Sequence, residues 1–223
     1  MEKMKTGKTV PFNWVRAAAV MCIITCISDF VVLFVLGSCY QGYSQLRNTI
    51  SSLGATISPV SKLISAWWIL IGIVFVFFGV FFRKAFEKDG RYVKLASLLI
   101  VMYGLGEGIG SGLFKADSIN GKRTFSFLLH DIVGGIGIIA AVLLPLVMCS
   151  VISKEDNSPF YCFSWIVFII GSITLLCFGI RFPSEAGDLI ASCKGLWQRL
   201  FLLNLYVYFI AISVIMYNRK IPV

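Results

Sequence analysis

Apolar residues in this chain come in long unbroken blocks, not in the alternation of apolar and polar positions that marks a half-exposed strand or helix. Leu63 to Phe82 runs 20 residues without a charge, Ile132 to Ser153 runs 22, Asn157 to Ile180 runs 24 and Leu200 to Asn218 runs 19. Two further blocks carry one charge each: Asp29 within Ala17 to Tyr40, and Glu107 within Leu95 to Phe114. A helix rises ~1.5 Å per residue, so about 20 apolar residues cross the ~30 Å hydrocarbon core of a bilayer. The pattern predicts an all-α integral membrane protein, a bundle of six transmembrane helices over residues 14–38, 62–82, 92–114, 126–151, 160–181 and 196–217. The intervening stretches are too short to build cores of their own, so 1–223 reads as one transmembrane domain.

Between the blocks, two segments stand out. In the first loop Leu46, Ile50 and Leu53 fall at i, i+4 and i+7. That spacing predicts a short amphipathic helix lying in the membrane interface, with Gly54 ending it in the left-handed conformation. In the third span, Gly104-Leu-Gly-Glu-Gly-Ile-Gly-Ser-Gly112 sets glycine at alternate positions. A lone strand cannot cross lipid with its backbone satisfied, so the segment is read as helix. Gly104, Gly108 and Gly112 then form one small-residue stripe and Gly106 and Gly110 another, where neighbouring backbones or a ligand approach closely.

Composition agrees with the pattern. Apolar residues make up 58% of the chain and charged residues 14%, against about 25% charged in a soluble domain, which excludes a soluble globular enzyme. The net charge of +9 is not read as a nucleic-acid signal, because lysine and arginine sit at the ends of spans, where they set topology. With the N-terminus inside, the cytoplasmic segments hold 12 of them, including Lys3, Lys5, Lys8, Arg83, Lys84, Lys88, Arg91 and Lys94, and the outside segments hold 8. Both termini are therefore expected in the cytoplasm. Leu36-Gly37-Ser38-Cys39 loosely resembles a lipoprotein cleavage site, but the apolar run before it exceeds the usual ~7–15 residues and is read as the first span. Cys39 and Cys193 both fall in predicted outside loops, where a disulfide between them is conceivable.

The ionisable residues inside the spans all lie toward the outer face. Asp29 falls ~14 Å and Glu107 ~10 Å below it, with His130, Asp131 and Arg199 closer to the surface. A charge in lipid costs at least ~2.5–3.5 kcal/mol on insertion scales, so such residues face one another or water. Asp29, Glu107, His130, Asp131 and Arg199 are the candidate lining of a polar pocket open to the outside; the alternative is a network that only fixes helix register. His130 shares a helical face with Gly134 and Gly137 and is expected to point inward, in the same cavity as Glu107. The chain has one histidine and lacks the histidine and cysteine groupings of zinc sites, so no metal or cofactor is expected. No Gly-x-Ser-x-Gly, phosphate-binding glycine loop or His-Glu-x-x-His motif occurs. Ser51 or Ser52 with His130 and Glu107 could assemble a Ser–His–acid set.

Three pieces occur together: Tyr43-Ser44 followed by Asn48-Thr49-Ile50-Ser51-Ser52-Leu53-Gly54, then Gly112-Leu113-Phe114-Lys115-Ala116-Asp117, then His130 opening the next span. In this combination the chain resembles the prokaryotic membrane family catalogued as domain of unknown function 998, over roughly residues 20–217. A proline often follows the phenylalanine of the second motif in that family, where this chain has Lys115. The resemblance implies a polytopic helical fold in a prokaryotic cell membrane, with Tyr43, Ser44, Asn48, Ser51, Ser52 and Gly54 as its outside-loop motif. It implies no activity. From the residues, the leading expectation is a protein that binds or senses a lipid or small amphiphile in the outer-leaflet pocket, with membrane lipids as partners. The alternatives are an intramembrane enzyme acting on a lipid or lipid-linked substrate through Glu107, Asp117 and His130, and a small-solute or proton-coupled transporter.

Overall fold

The computed structural model describes residues 13–86, 90–179 and 189–219. Lys3, Lys5, Lys8, Lys88, Arg181 and Lys220 of the charge count lie outside the described residues, as do the last two positions of the predicted fifth span. Six helices are long and apolar enough to cross a membrane: α1 (Trp14–Ser38), α2 (Ser61–Ala85), α3 (Arg91–Leu113), α4 (Phe125–Val151), α5 (Ser158–Gly179) and α6 (Lys194–Asn218). Each packs on its neighbours in the chain, and α1 closes the ring against α6. Large apolar side chains such as Ile24, Ile27, Leu98, Ile139, Ile173 and Leu176 remain exposed on the rim. In water such a surface would drive association; in a bilayer it is the lipid-facing skin.

Lipid tails are as apolar as leucine, so burial alone gives these helices no reason to associate; close packing and interhelical hydrogen bonds do. An aromatic centre fills the ring. Phe75 of α2 packs on Tyr103 of α3 (centroids 4.9 Å apart) and Phe209 of α6 (4.7 Å). Ser97 Oγ of α3 donates to the Gly79 carbonyl of α2 (2.7 Å), and Asn204 Nδ2 of α6 donates to the Val167 carbonyl of α5 (2.9 Å). Ser164 and the buried Tyr208 hydroxyl share a bond of 2.8 Å. Such interhelical bonds average about 0.6 kcal/mol and reach about 1.7.

The glycine-rich part of α3 is helical, and it is a π-helix over Gly104–Gly110. Ser111 N–H reaches back five residues to the Gly106 carbonyl. Both stripes are used. Gly104, Gly108 and Gly112 face α2, where a Cβ on Gly104 would sit 2.7 Å from the Gly72 carbonyl oxygen. Gly106 and Gly110 face α4, where a Cβ on Gly106 would lie 2.5 Å from the Val133 carbonyl oxygen.

The first loop differs from expectation. It holds no amphipathic helix, only a 3-10 turn at Ile50–Leu53. The apolar spacing is real, but Ile50 and Leu53 are buried in the bundle and not laid against lipid, while Leu46 is exposed. Gly54 is right-handed (φ −83°). Glycine is required there for space instead, since a Cβ would meet the Trp68 ring at 2.5 Å. Among the described residues the strands are Ser118–Ile119 and Lys122–Arg123, one antiparallel hairpin turned by Asn120 and Gly121 at positive φ. Cys39 and Cys193 are both free thiols.

Candidate functional site

The acidic residues and the histidine within the spans lie toward the end of the bundle capped by the first loop. Asp29 of α1 is 2% exposed and accepts from Trp67 Nε1 of α2 (2.8 Å) and Tyr206 Oη of α6 (2.7 Å). Both of its oxygens are thus supplied by donors from other helices. Glu107 leaves the middle of the π-helix toward α4, where its Oε2 lies 3.0 Å from the point a Cβ on Gly134 would occupy. Gly134 makes room for the carboxylate. His130, one turn earlier on α4, places Nδ1 3.0 Å from the Phe114 carbonyl. A carbonyl can only accept, so Nδ1 carries a proton and Nε2 is the ring atom left for other chemistry.

Asp29, Glu107 and His130 line one inner chamber of about 50 Å³, with Ser51, Ser111 and Gln198 adding polar groups and Trp68, Tyr103 and Tyr206 adding rings. Glu107 and His130 share this space without a direct hydrogen bond between them. A space of about 250 Å³ continues sideways as a crevice between α4 and α5, walled by Gly134, Gly135, Ile138, Ile139, Leu175 and Phe178. A vestibule of about 530 Å³ lies toward the loop, bordered by Thr49, Ser52, Arg123, Asp131 and Lys194. Ser51, His130 and Phe178 belong to the walls of all three. Asp131, about 100° round the helix from His130, lines the crevice and the vestibule and pairs with Arg123 at 2.7 Å.

Arg199 departs from the expected pocket. Its guanidinium is buried at the top of α6, outside the linings of these spaces. It donates to the Asn48 carbonyl (3.1 Å), the Gly195 carbonyl (2.9 Å) and Tyr43 Oη (2.6 Å). Tyr43 Oη in turn donates to the Thr49 carbonyl (3.1 Å), and Asn48 Oδ1 accepts from Ser44 N–H (2.8 Å). Ile50 N–H donates to Gln198 Oε1 at 2.7 Å. Depth along α6 put Arg199 near the pocket, but from the second turn of the helix its long side chain reaches up to the loop instead. Burial pushes the Tyr43 phenol above its ordinary pKa, with Arg199 opposing that shift.

Asp117 also leaves the proposed catalytic set. Its carboxylate accepts from Thr56 N–H (2.7 Å) and Thr56 Oγ1 (2.6 Å), tying the hairpin to the loop before α2. Lys115 Nζ donates to Ser61 Oγ (2.7 Å) and Ser65 Oγ (2.8 Å) at the start of α2. Desolvation lowers the Lys115 pKa, and Asp117 offsets part of that. Among the described residues no three His, Cys, Asp or Glu side chains are grouped to hold a metal ion.

The motif residues of the first loop thus form a lid fastened to α6, and His130 forms the wall beneath it. A family model described as "Protein of unknown function (DUF998)" matches residues 23–215. The chain belongs to this family. No curated protein and no solved structure matches it.

Several cavity residues carried no sequence signal. Gln198, Trp68 and Phe178 are ordinary span residues in the chain, and the partners of Asp29 lie 38 and 177 positions away. Ser111 was within reach: it follows Glu107 by four residues, one helical turn.

Proposed function

We propose that this family member is a cell-membrane protein, with the loop-capped end facing outward, that holds a lipid in the described cavity. The lipid chain would lie in the crevice between α4 and α5 and the polar head in the vestibule and inner chamber. The observation that carries this reading is the shared wall of Ser51, His130 and Phe178, which joins the chamber to a crevice where Glu107, His130 and Asp131 meet the apolar side chains Ile138, Ile139 and Leu175. Ligand sites are commonly apolar clefts with a few placed polar groups. The charge asymmetry of the loops supports the orientation.

Transport is less well supported. The three spaces gather at the loop-capped end, while Phe78, Phe82, Ile212 and Met216 are fully buried toward the other. Catalysis on a bound lipid keeps one specific support: His130 Nε2 is available as a base in a chamber that Ser51 also lines. Asp117 would take no part in it.

The test uses Gly135, where a Cβ meets nothing within 4 Å although the residue lines the crevice. Gly135→Leu fills lipid space without a clash inside the protein. Native mass spectrometry of the purified protein should find bound lipid on the wild type and several-fold less on Gly135→Leu. Equal lipid on both would refute the binding site. A lipid found chemically altered on the wild type but not on His130→Ala would favour the enzyme.

A further inference from the structure

The polar groups of the chamber and the vestibule differ in a way that specifies a headgroup. The inner chamber is rich in acceptors and poor in positive charge. Glu107 presents its carboxylate there beside Ser111 and without an ion pair to a described residue, and among the described residues no lysine or arginine lines the space. Ser111 is 5% exposed, and its Oγ, on the same wall, has no hydrogen-bond partner. Buried polar atoms without partners are rare in folded proteins. This orphaned hydroxyl, one turn from the Glu107 carboxylate in a space that His130 also lines, asks for a compact donor carrying positive charge. The rings of Trp68, Tyr103 and Tyr206 also suit a cation.

The vestibule has the opposite character. Lys194 borders it, half-buried and with no hydrogen bond or ion pair to a described residue. Arg123 borders it too, with one acidic neighbour, Asp131, already paired to it. Among the described residues, side-chain charges of +1, +1 and −1 leave the vestibule positive, and Ser51 stands on the boundary between the two spaces.

We propose that the cavity is a site for an aminophospholipid whose phosphate sits with Lys194 and Arg123 in the vestibule and whose primary ammonium turns past His130 to Glu107 and Ser111. The proposal rests on the lipid-binding reading above and adds the headgroup. The two-carbon spacer of an ethanolamine head keeps ammonium and phosphate in adjacent compartments. Hydrogen bonding sharpens the choice: a primary ammonium donates to such acceptors, and the trimethylammonium of a choline head has no N–H to donate. Three ammonium protons match the carboxylate, the Ser111 hydroxyl and the imidazole.

The experiment measures retention of defined lipids by the full-length protein in native mass spectrometry. The lipids share their acyl chains and carry phosphatidylethanolamine, its N-methyl, N,N-dimethyl and choline homologues, or phosphatidylglycerol. Retention should fall stepwise with N-methylation, with phosphatidylethanolamine ahead of the choline lipid by roughly tenfold or more, the scale of one charge-assisted hydrogen bond. Glu107→Gln should erase that preference while leaving phosphatidylglycerol unchanged, and Ser111→Ala should reduce it in part. Lys194→Gln should weaken both phospholipids together. Soluble phosphoethanolamine should compete poorly, since it lacks the chain held by the crevice. A flat N-methylation series, or an unaltered ethanolamine preference in Glu107→Gln, overturns the headgroup assignment while leaving lipid binding intact. Competition by phosphoethanolamine equal to that of the lipid overturns the commitment to a membrane source. Absence of every lipid from the wild type removes the underlying reading itself.

Discussion

Replacing Arg199 should unfasten the first loop from α6, and the size of the effect can be worked from its bonds. The guanidinium is 6% exposed and donates to Asn48 O, Gly195 O and Tyr43 Oη at 3.1, 2.9 and 2.6 Å. The Gly195 bond is internal to α6, so two bonds hold the loop. Hydrogen bonds to a charged group contribute about 1.5–3 kcal/mol each. The buried cation offsets part of this through its own desolvation. Arg199→Met should then cost about 2–4 kcal/mol, and Arg199→Lys nearly as much, because a point charge does not reproduce the planar fork. Tyr43→Phe removes one of the same bonds and should cost about 1–2 kcal/mol. The assay is unfolding in mixed micelles, followed by tryptophan fluorescence, on both single variants and the double. Coupling of about 1 kcal/mol or more is expected, and additivity within about 0.5 kcal/mol would refute the clamp. A pH arm checks the sign. The phenol of Tyr43 is raised in the folded state by burial, so its contribution is fully present below the ordinary tyrosine value and lost as pH climbs through the raised one. Tyr43→Phe should therefore flatten the alkaline limb of the stability curve; a limb unchanged by the substitution contradicts the assignment.

Topology is open to cysteine accessibility: positions in 41–59 and 116–124 should label from outside the cell and Arg83 and Lys84 from inside, and reversed labelling would turn the cavity toward the cytoplasm. Gly108→Val should destabilise the bundle strongly, because a Cβ there meets the Gly72 backbone nitrogen at 2.7 Å and neither backbone can give way; a thermal unfolding midpoint within a few degrees of wild type would argue that α2 and α3 are not in backbone contact.

What could be read from the chain follows from which forces are local. A bilayer demands about 20 apolar residues per crossing, and that demand is written directly in the blocks around Leu63 to Phe82 or Leu200 to Asn218. The convergence of Asp29, Glu107 and His130 was legible too, because depth in the membrane is proportional to position along a helix and lipid leaves buried charges few places to go. Arg199 shows where this fails. Depth fixes the Cα, but a long side chain near a helix end can turn toward a loop, and only the loop's Asn48 carbonyl and Tyr43 hydroxyl decide that it does. Asp117 shows the same limit, since its partner Thr56 lies 61 residues away and no periodicity links them. The apolar spacing of Leu46, Ile50 and Leu53 identified a buried face correctly in part, but its destination was the bundle top, which one turn of 3-10 helix reaches and an interfacial helix would not.

The π-helical segment joins the fold to the site. At about 100° per residue, glycines four apart keep one face of a helix and those two apart fall on the opposite one. Gly104, Gly108 and Gly112 accordingly dock on α2 while Gly106 and Gly110 dock on α4. Glycine in a helix costs about 1 kcal/mol per residue relative to alanine, and five of them within nine positions represent a substantial local weakness that backbone-to-backbone packing must offset. What the weakness provides is close backbone approach on both sides of α3. Glu107 is wedged between two helices that approach closely enough to exclude everything but a small chamber, with Gly134 and Gly137 cut back on the facing surface to admit it. π-turns occur frequently at functional sites because a sequence seldom keeps such a strained element for packing alone. The ring of six helices could close without an acid at 107; on the lipid-binding proposal, an acid there without an ion pair to a described residue makes sense once something in the cavity supplies its counter-charge.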